Sequence, residues 1–152
     1  MIQKWSHPTW DFLHTFACKI DEKFLLNNKN DIFHIIRSIM GILPCPTCRK
    51  DATTEIKKLK ENNIRSKNDL IMSLFHFHNY VNVKTKKRPF DETILKRYQN
   101  MNIHIVSNKF FSVMYNYKQV GIHMYDSFYR KKVIKNISNF IQTNRNHIFT
   151  SP

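Results

Sequence analysis

The stretch S-K-N-D-L-I-M-S-L-F-H-F-H-N-Y-V-N-V-K, residues 66–84, carries the strongest helical pattern in the chain. It opens with a capping-box sequence over Ser66 to Asp69, whose side chains can bond to the free N–H groups of a first helical turn. Large side chains then recur at three- and four-residue spacing, which places them close to one face: Leu70, Leu74, Phe77, His78 and Val81. The pattern predicts a helix that buries this face and ends in the basic run over residues 84–88, before Pro89.

Three further helices are predicted on the N-terminal side of this stretch. The first runs from about residue 8 to residue 25, because Pro8 suits a first helical turn and large side chains follow at helical spacing. The second begins with Asp31 as its cap, has an apolar stripe of Ile32, Ile35, Ile36, Ile39 and Leu43, and ends before Pro44. The third begins at Pro46 and continues to about residue 62, with Ala52, Ile56 and Leu59 facing inward.

On the C-terminal side, Asp91 can cap a short fifth helix that reaches about Asn100. Residues 107–120 and 127–142 are predicted to be helical, with Gly121 as a stop between them, and residues 103–106 could form a short strand. The predicted fold is therefore all-α. It comprises a four-helix bundle with a short fifth helix in residues 1–100 and a mostly helical, basic, aromatic-rich extension in residues 101–152.

The charge and hydropathy of the chain limit its function class. Its 152 residues carry a formal net charge of +14, which suits nucleic acid or another anionic partner. The basic residues are scattered and accompany no nucleic-acid motif, so nucleic acid is not an expected partner. No apolar run approaches the length of a membrane span and the N-terminus lacks the pattern of a signal peptide, so we expect a cytoplasmic protein.

The segment L-P-C-P-T-C-R-K, residues 43–50, holds two of the three cysteines. A zinc site would need further ligands at short spacing, and a thioredoxin-like dithiol would need alternating strands and helices. A redox dithiol at a helix N-terminus fits better, because free N–H groups and the helix dipole stabilise a thiolate. Outside thiols would attack Cys45, and Cys48 would face the electron acceptor. Cys18 stands alone and is predicted to be a buried small hydrophobe.

Two pairs of polar or aromatic residues point to that acceptor. Trp10 and His14 lie four residues apart on one predicted helix, and His78 and Asn82 do so on another, so each pair shares a helix face. Taken alone, each pair is more typical of an ordinary packed core. Together with the CxxC sequence, the pairs favour a flat, polar, aromatic ligand bound among the helices.

These residues resemble the motifs of a known family. W-D-F-L-H at residues 10–14, C-P-T-C at 45–48 and H-N-Y-V-N at 78–82, followed by Lys84, Lys87 and the pair Phe90–Asp91, are similar to the Erv/ALR flavin-dependent sulfhydryl oxidases. The resemblance covers roughly residues 5–100. It implies a helical bundle that holds FAD beside the CxxC disulfide, with catalytic residues Cys45 and Cys48 and no metal.

The resemblance also implies the cofactor-binding residues. Those expected to contact the flavin and adenosine parts are Trp10, His14, Cys48, His78, Asn79, Val81 and Asn82. Lys84 and Lys87 would reach toward the pyrophosphate, and Tyr98 lies near the position of an adenine-contacting aromatic residue. The implied reaction forms disulfide bonds in protein substrates and passes the electrons through FAD to O2, giving H2O2.

Some family features are missing from the chain. Phe75 and Glu92 occupy places where many members have a structural disulfide, and there is no distant shuttle pair of cysteines. The expected partners are therefore a protein dithiol substrate or a small redox carrier protein, molecular oxygen, and a second copy in a homodimer. The pattern is similar to the versions of large cytoplasmic DNA viruses, which implies the host cytoplasm and, for a viral protein, the virion. The alternative is a basic nucleic-acid-binding helical protein with a CxxC zinc half-site.

Overall fold

The computed structural model describes residues 4–118 and 124–150, and this part of the chain is helical. The helices are α1 (Ser6–Lys19), α2 (Glu22–Asn27), α3 (Lys29–Met40), α4 (Pro46–Ile56), α5 (Lys67–Lys84), α6 (Leu95–Asn100), α7 (Ile103–Asn116), α8 (Met124–Thr143) and α9 (Arg145–Ile148). Short 3-10 turns lie at Glu61–Asn63 and Glu92–Ile94. The all-α prediction is confirmed. None of the described helices combines the length and the apolar character that a membrane crossing requires.

The prediction of one continuous helix over residues 8–25 is wrong, because the chain leaves the helix at Ile20. Ile20 is extended (φ −62°, ψ 137°) and forms an isolated antiparallel bridge with Phe149. The side chain of Asp21 then accepts the N–H of Phe24 and caps α2. The N–H of Asp21 donates to the carbonyl of Ile148 at 2.6 Å. Local capping and a distant backbone partner therefore divide the predicted helix into α1 and α2.

The predicted cap at Asp31 is also wrong. Helix α3 begins two residues earlier, at Lys29, so Asp31 lies in its first turn, where a carboxylate still favours the positive end of the helix dipole. The isoleucines of the predicted stripe are confirmed, because all four are buried in α3: Ile32, Ile35, Ile36 and Ile39. The predicted end before Pro44 is wrong, because α3 ends at Met40, so Leu43 is buried outside the helix. This stripe fixes the side of α3 that faces the core.

Helix α4 ends at Ile56, earlier than the predicted end near residue 62. The following loop is held by α3, since the guanidinium of Arg37 donates to the carboxylate of Glu61 at 2.6 Å and to the carbonyl of Leu59 at 3.4 Å. These bonds satisfy a carbonyl that a continued helix would have used internally.

The predicted start of α5 is confirmed. Ser66 Oγ accepts the N–H of Asp69 at 3.1 Å. The carboxylate of Asp69 accepts the N–H of Arg65 at 2.8 Å, one residue before the usual position in a capping box. Asp91 likewise acts as a cap, because its side chain accepts the N–H of Thr93 at the 3-10 turn that leads into α6.

Helix α1 is central to the fold, because it packs against α5, α6 and α7. The ring of Phe12 on α1 stacks on that of Phe110 on α7 at 4.6 Å, and both side chains are fully buried. The possible strand over residues 103–106 is wrong, since the side chain of Asn102 accepts the N–H groups of His104 and Ile105 and starts α7 there. Helix α7 reaches Asn116, whereas the predicted end at Val120 and the stop at Gly121 lie outside the described residues.

Helix α8 is fixed to both α7 and α4. The guanidinium of Arg130, which is 1% exposed, donates to the carbonyl of Met114 at 3.2 Å and to that of Tyr117 at 2.8 Å. The carboxylate of Asp126 pairs with Arg49 on α4 at 3.2 Å. The C-terminal segment therefore contacts the helix that carries the CxxC sequence.

Candidate active site

Cys45 and Cys48 form a disulfide at the N-terminus of α4, as the sequence predicted for a redox pair. Cys45 is the N-cap residue, and its Sγ accepts the N–H of Cys48 at 3.2 Å. Pro46 supplies the first helical residue, which needs no N–H donor there. The sulfur of Cys45 thus lies where the free N–H groups and the helix dipole favour negative charge once the disulfide is reduced.

A cavity of about 420 Å3 lies against this disulfide, between α1, α4, α5 and α6. Its volume is typical of small-molecule sites. The wall is mainly apolar and aromatic, with these members: Trp5, Trp10, Leu13, Met40, Leu43, Phe77, Val81 and Phe90. Polar and charged wall residues include Cys48, Asp51, His78, Tyr80, Asn82, Lys84, Lys87, Arg97 and Tyr98.

Four aromatic rings are stacked behind and along this wall. The ring of Trp10 lies parallel to that of His78, with centroids 3.8 Å apart and planes at 6°. His14 lies between His78 and Tyr98, at ring distances of 5.1 Å and 4.4 Å. The stack joins α1, α5 and α6, so the helix packing itself sets the orientation of the wall.

The two histidines of this stack share one hydrogen bond, with His14 Nε2 and His78 Nδ1 2.9 Å apart. Burial lowers the pKa of His14 to about 4. Burial, together with His14 and Lys87, lowers the pKa of His78 to about 3. Both rings are therefore neutral at pH 7, and one ring donates while the other accepts.

The surroundings of His14 decide which ring donates. His14 Nδ1 is buried with no hydrogen-bond partner. A bare lone pair at this atom is less costly than an unsatisfied N–H, so the hydrogen belongs on His14 Nε2, which donates to His78. His78 then accepts at Nδ1 and carries its own hydrogen on Nε2. His78, a residue of the cavity wall, consequently has an N–H donor at Nε2 that it does not use toward His14.

The cavity brings together most of the residues that the sequence singled out. Those on the wall are Trp10, Cys48, His78, Val81, Asn82, Lys84, Lys87 and Tyr98. Cys45, His14 and Asn79 are not wall residues. Cys45 is bonded to a wall residue, and His14 lies behind the wall in the stack. Their assignment to catalysis and cofactor binding stays a prediction.

Asn79 holds a loop instead of lining the cavity. Its Oδ1 accepts the N–H of Phe90 at 2.8 Å, and its Nδ2 donates to the carbonyl of Phe90 at 3.0 Å. Phe90 in turn meets the ring of His78 edge-on at 5.1 Å. Asn79 therefore positions one side of the cavity through the loop that follows α5.

The two predicted phosphate-binding lysines lie at the end of α5 and just beyond it. The ammonium of Lys84 pairs with the carboxylate of Asp51 on α4 at 2.9 Å, a contact that raises the pKa of Lys84. The backbone N–H of Lys87 donates to the carbonyl of Asn82 at 2.7 Å. Lys87 is exposed and belongs to the cavity wall. The charge of Lys87 is thus available to an anionic group, whereas that of Lys84 is already paired with Asp51 at the cavity wall.

Sequence reasoning missed several wall residues. Asp51 follows Cys48 by three residues on α4, so helical spacing could have placed it on the same face. Phe90 belongs to the quoted motif but was not assigned to the site. Two further missed residues are Trp5, which precedes α1, and Arg97 on α6, which pairs with Asp11 on α1 at 3.5 Å. Only the packing of α6 on α1 brings Arg97 to the cavity, and no local pattern reports that contact.

Other candidate chemistry is not supported in the described residues. Within residues 4–118 and 124–150, no three His, Cys, Asp or Glu side chains cluster so as to hold a metal ion. The CxxC pair consequently lacks the further ligands that a zinc half-site needs. A second, polar depression of about 490 Å3 at the junction of α8 and α9 is lined by His104, Arg145 and neighbours, and contains no cysteine.

Comparisons with known proteins agree with this geometry. Over 97 residues the chain is 28% identical to "Putative FAD-linked sulfhydryl oxidase 096R" of Invertebrate iridescent virus 3. The match covers 62% of this chain and 66% of the length of that relative, just under two thirds. No solved structure matches the chain. The sequence model of the Erv1/Alr family matches residues 7–102, and the chain belongs to this family.

Proposed function

We propose that the protein is an FAD-dependent thiol oxidase, which forms disulfide bonds in protein substrates and passes the electrons to O2 to give H2O2. The observation that carries the proposal is the position of the disulfide. Cys48 lies in the wall of a cavity that also presents the parallel rings of Trp10 and His78, while Cys45 lies off that wall. One sulfur can therefore meet a thiol substrate while the other faces a bound aromatic cofactor. The name of the viral relative contains the same activity.

The residues of the cavity suit FAD. Flat aromatic walls fit a planar ring system, and His78 offers a hydrogen-bond donor beside them. Lys87 would supply positive charge to the diphosphate, and Lys84 and Arg97 would add to it if their ion pairs with Asp51 and Asp11 open. Trp10, His78, Val81, Asn82 and Tyr98 would hold the ring systems. When bound, FAD supplies a two-electron acceptor that O2 can reoxidise.

The thiol exchange takes place at Cys45. A substrate thiolate attacks Cys45 Sγ, the Cys45–Cys48 bond breaks, and Cys48 leaves as a thiolate. The second substrate thiolate then attacks the substrate sulfur of this mixed disulfide and releases Cys45. The substrate is oxidised by two electrons and the cysteine pair is reduced by two. The N–H of Cys48, which already donates to Cys45 Sγ, stabilises the Cys45 thiolate as it leaves.

The substrate class, the oligomer and the location are further parts of the proposal. A protein dithiol or a small redox carrier would supply electrons, and a second copy would complete a homodimer. The location proposed is the cytoplasm of an infected cell and the virion, as the resemblance of the motifs to the versions of large cytoplasmic DNA viruses implies. Light scattering of the purified protein tests the dimer, and fractionation of infected cells and virions tests the location.

The central test uses single cysteine variants of the full chain. We expect the wild-type protein to bind FAD, to consume O2 with dithiothreitol and to lose its flavin absorbance when the dithiol is added without air. Cys45→Ser and Cys48→Ser should retain FAD but lose dithiothreitol oxidation, because neither can form the disulfide. Cys18→Ala is the matched control, since Cys18 is buried away from the cavity wall, and it should remain active.

Two results would refute the proposed function. The first is a folded protein that does not bind FAD. The second is a flavin-containing protein whose absorbance does not change with an anaerobic dithiol.

A further inference from the structure

Helix α8 begins with an exposed aromatic stripe, which consists of Tyr125, Phe128 and Tyr129. Their exposed fractions are 78%, 66% and 51%. Their spacing of three and four residues places the three rings on one face of the helix. The opposite face of α8 is buried, through Arg130 and Ile134. A surface helix normally turns polar residues to solvent, so an apolar stripe on its outer face marks a contact surface.

The turn of α8 that carries this aromatic stripe is linked by an ion pair to the first turns of α4, the helix of the redox disulfide. Asp126, within the same turn, pairs with Arg49 at 3.2 Å, and Arg49 directly follows Cys48. Tyr129 is three residues from Asp126 and so lies next to it on the helix surface. The buried hydrogen bonds of Arg130 hold this turn of α8 in place from the other side. The stripe is therefore a fixed surface next to the N-terminus of α4.

The surroundings of the stripe are positively charged. Lys132 continues its spacing along α8 and is exposed, as are Lys135 on α8 and Lys50 on α4. Among the described residues, these three lysines have no carboxylate within ion-pair distance. The carboxylate of Asp126 is already engaged by Arg49. A complementary partner would therefore combine acidic side chains with a large apolar one.

We propose that the aromatic stripe is the docking surface for the thiol substrate, and that it takes a flexible, cysteine-bearing segment with acidic residues and an aromatic side chain. The proposal rests on the proposed thiol oxidase function and names the substrate class. An aromatic side chain would pack on the rings of the stripe while acidic residues face Lys50 and Lys132. A thiol in the same segment would then be held close to Cys45. The stripe lies beyond residue 102, where the match to the family ends.

The test compares two synthetic dithiol peptides with the same Cys-x-x-Cys centre. One has Glu, Asp and Trp in its flanks, and the other has Lys and Ser. With the wild-type protein, kcat/KM for the acidic aromatic peptide should exceed that for the basic one by about tenfold or more, the effect of one good anchor contact. Dithiothreitol, which is too small to reach the stripe, serves as the substrate that reports the chemistry alone.

The triple variant Tyr125→Ser, Phe128→Ser, Tyr129→Ser should reduce this preference to about twofold, with dithiothreitol oxidation unchanged. Lys132→Glu keeps the aromatic rings and should also lower the preference, which guards against a folding defect in the triple variant. Ile105→Ser is the matched control, because Ile105 is an exposed apolar residue (69%) at the distant end of α7. It should leave the peptide preference as in the wild type.

Three outcomes would overturn the proposal. In the first, the wild-type protein oxidises both peptides with equal kcat/KM while it oxidises dithiothreitol, so that the oxidase function stands without the docking surface. In the second, the triple variant keeps both the wild-type preference and the wild-type oligomeric state. In the third, the triple variant keeps that preference but changes a dimer into a monomer in light scattering, which assigns the stripe to contact between copies. Absence of any dithiol oxidation would instead remove the proposed function on which the docking surface rests.

Discussion

The buried histidine pair makes the stability of the protein depend on pH. The folded-state pKa values of about 4 for His14 and about 3 for His78 lie well below the usual value of 6.5. Below pH 6.5 the unfolded chain therefore binds protons that the folded protein does not bind. By linkage, the free energy of unfolding is largest above pH 6.5 and falls as the pH decreases toward 4 and below.

The magnitude follows from the width of this pH interval. Each pH unit below 6.5 costs about 1.4 kcal/mol for each histidine that stays neutral in the fold. At pH 5 the pair therefore costs about 4 kcal/mol, since both folded pKa values still lie at or below pH 4. This is a large part of the roughly 5–15 kcal/mol by which single domains are stable.

Urea unfolding at pH 7, 6 and 5 measures this dependence. His78→Phe keeps a ring against Trp10, which lies 3.8 Å from the His78 ring, and removes one proton-binding group. The free energy of unfolding of this variant falls at every pH because His14 Nε2 loses its partner. The quantity to compare is therefore the slope of the free energy of unfolding against pH. We expect the slope below pH 6.5 to drop by about half. His34→Gln, a change at an exposed position on α3, serves as the control and should retain the wild-type slope.

Two results would refute this reasoning. One is equal stability of the wild-type protein at pH 7 and pH 5. The other is a His78→Phe variant whose stability falls with pH as steeply as that of the wild type.

Two further variants test contacts around the site. Asn79→Ala removes both hydrogen bonds to the backbone of Phe90 and should weaken FAD binding by up to about fivefold, measured as Kd in a fluorescence titration. Asn79→Asp should have an intermediate Kd, because it keeps the acceptor for the Phe90 N–H. An unchanged Kd for Asn79→Ala would contradict the role of that loop. Arg130→Met removes the donor to the carbonyls of Met114 and Tyr117 and should lower the free energy of unfolding in urea by about 3 kcal/mol. Lys132→Met, on the exposed face of α8, is the control. A loss below about 1 kcal/mol for Arg130→Met would contradict this account.

Local signals predicted much of the fold. The sequence correctly predicted the cap at Ser66, the helix start at Pro46 and the buried isoleucines of α3. Each of these features could be predicted because it depends only on neighbours within one or two helical turns. The same holds for the site residues that share a helix face, such as His78 and Asn82. Helical spacing places His78 and Asn82 on one face, and packing brings that face to the cavity wall; the same spacing in Trp10 and His14 puts only Trp10 on the wall.

Several wrong predictions concern places where distant parts of the chain meet, whereas the cap at Asp31 and the strand over residues 103–106 were wrong for local reasons. The break at Ile20 depends on Phe149, and the early end of α4 is accompanied by bonds from Arg37 on α3. Trp5 and Arg97 reach the cavity only because their segments pack on other helices. Asn79 lies in the recognised motif, yet its partner is the backbone of Phe90, which no residue type at position 79 could have disclosed.

The bridge between Ile20 and Phe149 has a consequence for synthesis of the protein. Ile20 and Asp21, between α1 and α2, obtain these backbone partners only after residues 148 and 149 have been added. Phe12, in the middle of α1, likewise gains the ring of Phe110 only once residue 110 has been added. During translation the early helices therefore emerge from the ribosome without their final neighbours, and they gain them only after the segments around residues 110 and 148 have emerged as well.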